Sequence, residues 1–217
     1  MTITYIYKTI EKALSFRKGY IDNAHTNVYR LLNSYGDNLP EATIDIYDNT
    51  VLVQYFKTHE DRTKKEIYEA VQKLISPECI IEKERLKGRD VVTRLISGKE
   101  IPDNYVVIEN GIQFCTSFND GGGTGLYLDQ RDNRKKVQSF ARGKEILNCF
   151  CYTSSFSVYA CAGGAAKTTN IDLSGKAIAW SKNNYVLNQI DVNNHDFIAG
   201  DVWEYFKIFQ KRGKNLM

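Results

Sequence analysis

The chain has 217 residues, of which 42% are hydrophobic and 25% are charged, and its formal net charge is +3. This composition is ordinary for a globular protein and argues against a largely disordered chain. A net charge this small does not by itself indicate a polyanionic partner, so such a partner would have to bind a local basic cluster. Three clusters, at residues 83–89, 131–136 and 211–214, are either polyanion contacts or solvated surface.

Membrane and metal-binding classes find no support in the sequence. No apolar run approaches the roughly 18 residues that a membrane helix needs, and the N-terminus lacks a signal-peptide pattern, so we predict a cytoplasmic protein without a membrane partner. The cysteines are odd in number and form no C-x-x-C pair, which favours reduced thiols and no metal site. They are Cys79, Cys115, Cys149, Cys151 and Cys161.

The first part of the chain mixes helix and strand patterns. Apolar residues at helical spacing, including Ile10, Leu14 and Phe16, predict an amphipathic first helix. Turn residues at Asp48–Asn49 join two strands of a small antiparallel sheet. The predicted elements are helices over residues 5–18 and 61–74, strands over 26–34, 42–47, 50–55 and 79–83, and a linker over 88–103.

Strand–helix alternation replaces this pattern after a hairpin centred on Asn110–Gly111. The predicted elements that follow are strands over residues 127–130, 144–150, 168–173 and 197–199, with helices over 131–143 and from 156. The sequence therefore predicts an α/β protein: an N-terminal α+β region with an antiparallel sheet, residues 1–98, followed by an incomplete Rossmann-like domain, residues 99–217.

The stretch 143–201 has the pattern of a nucleotide-cofactor site. A loop of small and hydroxyl residues follows its first strand, and its second strand ends near Asp172, where a carboxylate can accept hydrogen bonds from ribose hydroxyls. An NAD site would use the same carboxylate but needs a G-x-G-x-x-G turn, which this loop lacks. A cofactor other than NAD is therefore predicted.

Four segments carry a resemblance to a known family. They are VIENGIQF at 107–114, TGLYLDQRDNR at 124–134, LNCFCYTSSFSVYA at 147–160 and IDLS at 171–174. These segments resemble the class I S-adenosylmethionine (SAM)-dependent methyltransferases that modify cytosine C5 in ribosomal RNA of the large subunit. The resemblance implies SAM as the cofactor, large-subunit ribosomal RNA as the partner, and methyl transfer as the family's activity.

The resemblance also implies a set of cofactor contacts. Asp172 would accept from the ribose diol and Asp201 from the adenine amino group, although each carboxylate could instead cap a helix, as could Asp129. Ser154 and Ser155 stand where the family has two glycines, so a positive φ at either would carry strain. The remaining implied contacts, near the methionine end and along the loop, are Asp129, Gln130, Arg131, Asn148, Phe150, Tyr152, Thr153 and Ser155.

The family's catalytic cysteine and the Asp-Pro-Pro motif before it have no counterpart in the chain. All of its prolines, Pro40, Pro77 and Pro102, precede residue 143. The family's small β-rich RNA-binding module at the N-terminus has no counterpart either, so we expect a chain truncated at both ends relative to the family and inactive by itself. The alternative is a non-catalytic remnant that binds RNA or cofactor. An unpaired edge on the strand 145–150 further predicts marginal stability and self-association.

Overall fold

The computed structural model describes residues 5–100 and 103–211, in which the chain forms two compact units. The first runs to Gly111 and adds residues 116–124; the second takes residues 112–115 and continues from Gly125. This division falls later than the predicted boundary at residue 98. Residues 212–214 of the last basic cluster lie outside the described part of the chain.

The first unit is built on a five-stranded sheet with the order β1-β2-β3-β4-β5. Three of its neighbouring pairs are antiparallel, whereas β3 and β4 are parallel because α2 connects them as a crossover. Its elements are α1 (Tyr5–Lys18), β1 (Val28–Asn33), β2 (Ala42–Tyr47), β3 (Thr50–Tyr55), α2 (Asp61–Ile75), β4 (Cys79–Glu84) and β5 (Val92–Ser97).

Alternation along β2 and β3 directs Ile44 and Val53 to a core shared with the two helices. Ile10 of α1 and Ile67 of α2 are fully buried there. Phe16, expected on the apolar side of α1, is instead 70% exposed. The buried face of α1 is therefore narrower than the sequence pattern suggested.

The predicted linker was wrong over β5. This strand pairs with β4, and Arg94 of β5 forms ion pairs with Glu82 and Glu84 across the pair. The strand is mostly exposed and its register shifts once, so its residues show no alternation that a sequence pattern could reveal.

The hairpin consists of β6 (Tyr105–Glu109) and β7 (Ile112–Thr116), as predicted. Asn110 and Gly111 have φ values of 51° and 79°, the left-handed pair that a two-residue turn of this kind requires. The N-terminal unit extends as far as β6 because Asn27 binds this strand: its backbone N–H donates to Ile108 O at 2.9 Å and its Oδ1 accepts from Ile108 N at 2.6 Å.

The second unit contains a parallel three-stranded sheet with the order β10-β9-β8. Two helices cross between consecutive strands, which gives the predicted Rossmann-like arrangement. Its elements are α3 (Arg131–Phe140), β8 (Glu145–Cys149), α4 (Ser155–Ala162), β9 (Lys167–Asp172), α5 (Gly175–Leu187), β10 (Asp196–Ala199) and α6 (Val202–Lys211).

The strand predicted over 127–130 was wrong: Leu128–Gln130 forms a 3-10 turn. The carbonyl of Tyr127 accepts from Gln130 N at 3.1 Å and from the Arg134 guanidinium at 2.9 Å, so this carbonyl is occupied locally and does not pair in a sheet. Helix α3 then ends at Phe140, three residues before the predicted end.

Candidate functional site

The carboxyl ends of β8, β9 and β10 meet at one edge of the second sheet because the strands are parallel. Asp172 ends β9, and Asp201 follows β10 after Gly200. The backbone N–H of Gly200 donates to Asp172 O at 2.9 Å, which ties the two strand ends together. The structure thus gathers the predicted strand-end residues in one place.

The loop after β8 has an unusual backbone. Phe150, Tyr152 and Ser154 have φ values of 55°, 48° and 59°, although none is glycine. Such residues each carry on the order of 1 kcal/mol or more of backbone strain, and they persist only where surrounding contacts hold them. Here Cys151 N donates to Ile171 O at 3.0 Å, and Ser154 N donates to Cys151 O at 2.8 Å. These hydrogen bonds hold the loop in its strained conformation.

Asp172 holds this loop. Its Oδ2 accepts from Tyr152 N at 2.8 Å, and its Oδ1 accepts from Ser174 N at 2.9 Å. Helix α5 is capped by Ser174, whose Oγ accepts from Ala177 N, so Asp172 does not serve as that cap. Each carboxylate oxygen retains a further lone pair and can still accept a hydroxyl hydrogen bond.

Asp201 does begin a helix. Its Oδ1 accepts from Trp203 N at 2.8 Å in the first turn of α6. Beside it, the rings of Phe150 and Trp203 meet edge to face with centroids 6.4 Å apart, and both side chains are more than 60% exposed. A carboxylate therefore lies next to open aromatic surface.

Three other predicted residues serve the interior of the unit. Asn148 Nδ2 donates to Ser157 Oγ of α4 at 2.8 Å. Ser155 is the first residue of α4 and does not have a positive φ. Of the two serines, only Ser154 therefore carries the predicted backbone strain. Ser154 Oγ is buried and donates to Ser181 Oγ at 2.8 Å, which keeps its side chain away from the strand ends.

Gly125 supports the loop after β8, a role that sequence reasoning missed. Its N–H donates to Tyr152 Oη at 2.9 Å, and its carbonyl accepts from Thr153 Oγ1 at 2.6 Å. Its φ is +91°, and a Cβ there would lie 2.3 Å from Cζ2 of Trp180. Only glycine fits between the loop and α5, and the signal available in the sequence was the Thr-Gly pair that opens the segment 124–134.

Asp129, Gln130 and Arg131 form a polar surface segment. Gln130 Nε2 donates to Asp129 Oδ2 at 2.9 Å, and Arg131 pairs with the neighbouring Asp132. Gln130 occupies the N-cap of α3 and makes no side-chain capping bond there. The Tyr127 ring, 5.4 Å from that of Tyr152, places this segment beside the loop.

Arg134, which sequence reasoning did not select, is fully buried. Its guanidinium donates to Tyr127 O and lies 5.9 and 5.8 Å from the ring centroids of Phe156 and Tyr159. A buried cation held over two rings fixes the start of α3 against α4.

Burial raises the pKa of the Cys151 thiol to about 11, so this thiol is protonated and a poor nucleophile near neutral pH. Burial also raises the pKa of Cys79, Cys149 and Cys161. All five cysteines are free thiols. Within residues 5–100 and 103–211, no cluster of His, Cys, Asp and Glu could hold a metal ion, and no helix is long and apolar enough to cross a membrane.

Parallel strands, a tight loop after the first of them and a carboxylate at the end of the second define a Rossmann-like nucleotide-cofactor domain. These groups suit a ribose diol and an adenine, because carboxylates, exposed aromatic rings and a tightly turned backbone are all present at the strand ends. The fold and site thus place the chain among cofactor-binding α/β proteins.

Comparison with known proteins gives the family. Residues 34–216 match the model of the S-adenosylmethionine-dependent methyltransferases. The chain is 32% identical over 215 residues to ribosomal RNA large subunit methyltransferase I of Pseudoalteromonas atlantica and 35% identical over 222 residues to that of Aeromonas hydrophila. A crystal structure of SMU.776, assigned as a methyltransferase and complexed with S-adenosylhomocysteine (SAH), matches with a TM-score of 0.89 at 33% identity.

The chain belongs to the SAM-dependent methyltransferase family. These matches cover 97% of it for both relatives and 98% for the crystal structure. They cover 54% and 55% of the two relatives and 56% of the SMU.776 chain, so the chain spans about half the length of the proteins that it matches.

Proposed function

We propose that this chain provides the cofactor-binding strand ends and an RNA-facing unit of a cytoplasmic methyltransferase that modifies cytosine C5 in large-subunit ribosomal RNA. The observation that carries the proposal is the loop 150–154, held in a strained conformation by Asp172 at the end of β9. The name of the two relatives, ribosomal RNA large subunit methyltransferase I, supports ribosomal RNA as the substrate. The segments at 124–134 and 147–160 support the C5 reaction by resemblance.

In this proposal SAM, when bound, supplies a methyl group on a sulfonium. Asp172 would accept from the ribose hydroxyls with the lone pairs that its two backbone bonds leave. Asp201 would accept from the adenine amino group, and the neighbouring rings of Phe150 and Trp203 would offer the adenine an apolar surface. Tyr152 and Thr153 shape the loop at the methionine end, next to Asp129, Gln130 and Arg131.

The cytosine C5 reaction also needs a nucleophile, because the ring carbon attacks a sulfonium only after a thiolate has added at C6. Cys149 is the last residue of β8, and burial raises the pKa of its thiol. Cys151, in the loop after this strand, is buried, and its thiol donates to Tyr152 O at 3.7 Å. A raised pKa keeps it protonated. We therefore propose that this chain binds cofactor and RNA but transfers no methyl group by itself.

Calorimetric titration with SAH tests the cofactor site. Asp172→Ala and the near-isosteric Asp172→Asn should both abolish measurable binding, because each removes the charged diol acceptor. Asp90→Ala, which removes an exposed carboxylate from the loop between β4 and β5, should bind as the unchanged chain does. Tight binding in both Asp172 variants would refute the assignment.

Incubation with labelled SAM and unmodified ribosomal RNA tests the activity. We expect no label above background in the RNA, since no cysteine of the chain is an exposed, activated thiol. Label in cytosine would show that the chain has its own nucleophile. A Cys151→Ser variant would then tell whether Cys151 is that nucleophile.

A further inference from the structure

A cavity of about 460 Å³ lies in the first unit between α1 and the 3-10 turn Ser34–Asp37. Its size falls within the roughly 300–1,000 Å³ of small-molecule sites. Helix α1 contributes Thr9, Lys12 and Phe16, and the opposite wall contains Asn33 and Asn38. The wall thus combines an aromatic ring, a cation and amide groups.

Phe16 is available to a ligand because it takes little part in the core. Its side chain is 70% exposed, whereas Ile10 and Ala13 of the same helix are buried. The Arg17 guanidinium lies 5.2 Å from the Phe16 ring centroid. Together the two side chains present an aromatic ring and a planar guanidinium, and unstacked bases stack on surfaces of both kinds.

The Arg17 side of the cavity is held in place. The Arg17 guanidinium makes two 2.7 Å hydrogen bonds to the two oxygens of Asp37, and Asp37 Oδ2 also accepts from Asn33 N at 2.7 Å. At another point of the cavity, Tyr5 Oη donates to the carbonyl of Asn38 at 3.2 Å. A site fixed in this way loses little conformational entropy when it binds.

The charges favour an anion. Lys12 and Arg17 carry two positive charges on the wall, against the single negative charge of Asp37. Arg17 forms an ion pair with Asp37. Lys12 also interacts with the charge of Asp37, but it forms no ion pair there and is exposed beside the cavity. A base on Phe16 and a phosphate at Lys12 are the two halves of one nucleotide.

We infer that the α1 cavity, defined by Thr9, Lys12, Phe16, Asn33 and Asn38, binds one nucleotide of single-stranded RNA, with its base stacked on Phe16 and its phosphate at Lys12. This inference rests on the proposed function, which supplies RNA as the substrate. It adds a binding position in the first unit to the cofactor site proposed for the second unit.

Fluorescence anisotropy with a short single-stranded oligoribonucleotide tests the α1 cavity. Phe16→Ala should weaken binding roughly fivefold or more, as loss of one stacked base does. Lys12→Ala should lower the slope of log affinity against log salt by about 0.7, the effect of one phosphate contact on a single strand. The matched controls are Phe140→Ala, a 66% exposed ring in the second unit, and Lys8→Ala, an exposed lysine of α1 outside the cavity. Both controls should bind like the unchanged chain.

The outcomes separate the two proposals. If the unchanged chain binds RNA and Phe16→Ala binds equally well, the α1 cavity is not the site, although the proposed function stands. If the unchanged chain binds no RNA, both the cavity and the proposed RNA substrate are wrong, while SAH calorimetry still reports on the cofactor site. Equal loss in Phe16→Ala and Phe140→Ala would also overturn the assignment.

Discussion

Ser154 shows how a single backbone angle limits the cofactor loop. Its φ of 59° strains any residue with a Cβ, and its Oγ donates to Ser181 Oγ inside the unit. Glycine would relieve the strain but lose the hydrogen bond, and these two effects are of similar size, each about 1 kcal/mol. The serine is therefore tolerated because its own hydroxyl offsets the strain.

Replacing Ser154 with alanine separates these effects. Ser154→Ala keeps the strain and loses the hydrogen bond, so its free energy of unfolding should fall by about 1–2 kcal/mol. Ser154→Gly should be more stable than Ser154→Ala by about 1 kcal/mol. Urea denaturation measures both, and equal stability of the two variants would mean that the angle carries no strain.

His195 predicts a pH dependence of stability in the second unit. Its Nδ1 accepts from Thr168 N at 3.0 Å, which requires an unprotonated Nδ1, and its Nε2 faces Cys161 Sγ at 3.8 Å. Burial lowers the pKa of this ring, Lys167 lowers it further, and Asp191 and Asp196 act in the opposite direction. The folded protein thus favours the neutral imidazole.

The unfolded chain binds a proton at His195 more readily than the folded protein does. The stabilisation that neutral His195 gives above pH about 6.5 is therefore lost as the pH falls below that value. The difference in unfolding free energy between the unchanged chain and His195→Gln should therefore narrow on acidification. The difference in unfolding free energy between the unchanged chain and His195→Gln should not be the same at pH 7.5 and pH 5.5, which lie on either side of about 6.5. An unchanged difference would contradict a neutral His195 in the folded protein.

At the scale of elements, α5 supplies hydrogen bonds that a neighbouring strand would otherwise provide. Asn188 pairs with both backbone groups of Gln113, with Oδ1 accepting from its N–H and Nδ2 donating to its carbonyl. One turn earlier, Asn184 Oδ1 accepts from Cys115 N and Trp180 Nε1 donates to Cys115 O. Alternate residues of β7 are thus matched by successive turns of α5.

Asn184 is fully buried and also donates to Thr153 O at 2.9 Å, so it links β7 to the cofactor loop. Asn184→Ala should lower the unfolding free energy by about 2–4 kcal/mol, because it leaves a buried donor and a buried acceptor unpaired. Asn183→Ala, at the exposed neighbouring position, should change stability by less than about 0.5 kcal/mol. Urea denaturation compares them, and similar losses would mean that helix propensity, not hydrogen bonding, is the cause.

At the scale of the whole molecule, the two sheets differ in how well their strands are covered. Every residue of β2 and β3 is buried and both strands have neighbours on each side. In the part of the chain that the structure describes, β8 pairs with β9 alone, and its residues are half-buried or exposed. An open strand edge offers unpaired backbone groups to a second copy.

We therefore propose that the 217-residue polypeptide self-associates through β8 when it is expressed by itself. Hydrogen exchange at low concentration should be slow in β2 and β3 and fast in β8, and exchange in β8 should slow as concentration rises. Sedimentation velocity at the same concentrations reports association. Slow exchange throughout β8 in a demonstrated monomer would falsify this proposal.

Much of the architecture was predictable from the sequence because it depends on local patterns. Helical spacing gave α1 and α2, the Asn110–Gly111 pair gave the hairpin, and strand–helix alternation gave the parallel sheet. The errors fell at β5 and at residues 127–130, where long-range pairing and the Arg134 guanidinium decide the structure. Neither influence leaves a periodic signal in the chain.

The cofactor-site candidates divide in the same way. By itself the sequence determined the family resemblance and the Asp172 position, since the residues of a strand end follow from chain order. Only the tertiary structure decided that Ser154 is turned into the unit, that Asn148 binds α4, and that Gly125 must be glycine beside Trp180. These outcomes depend on which distant side chains approach within hydrogen-bonding or van der Waals distance, and that information exists only once the elements have packed.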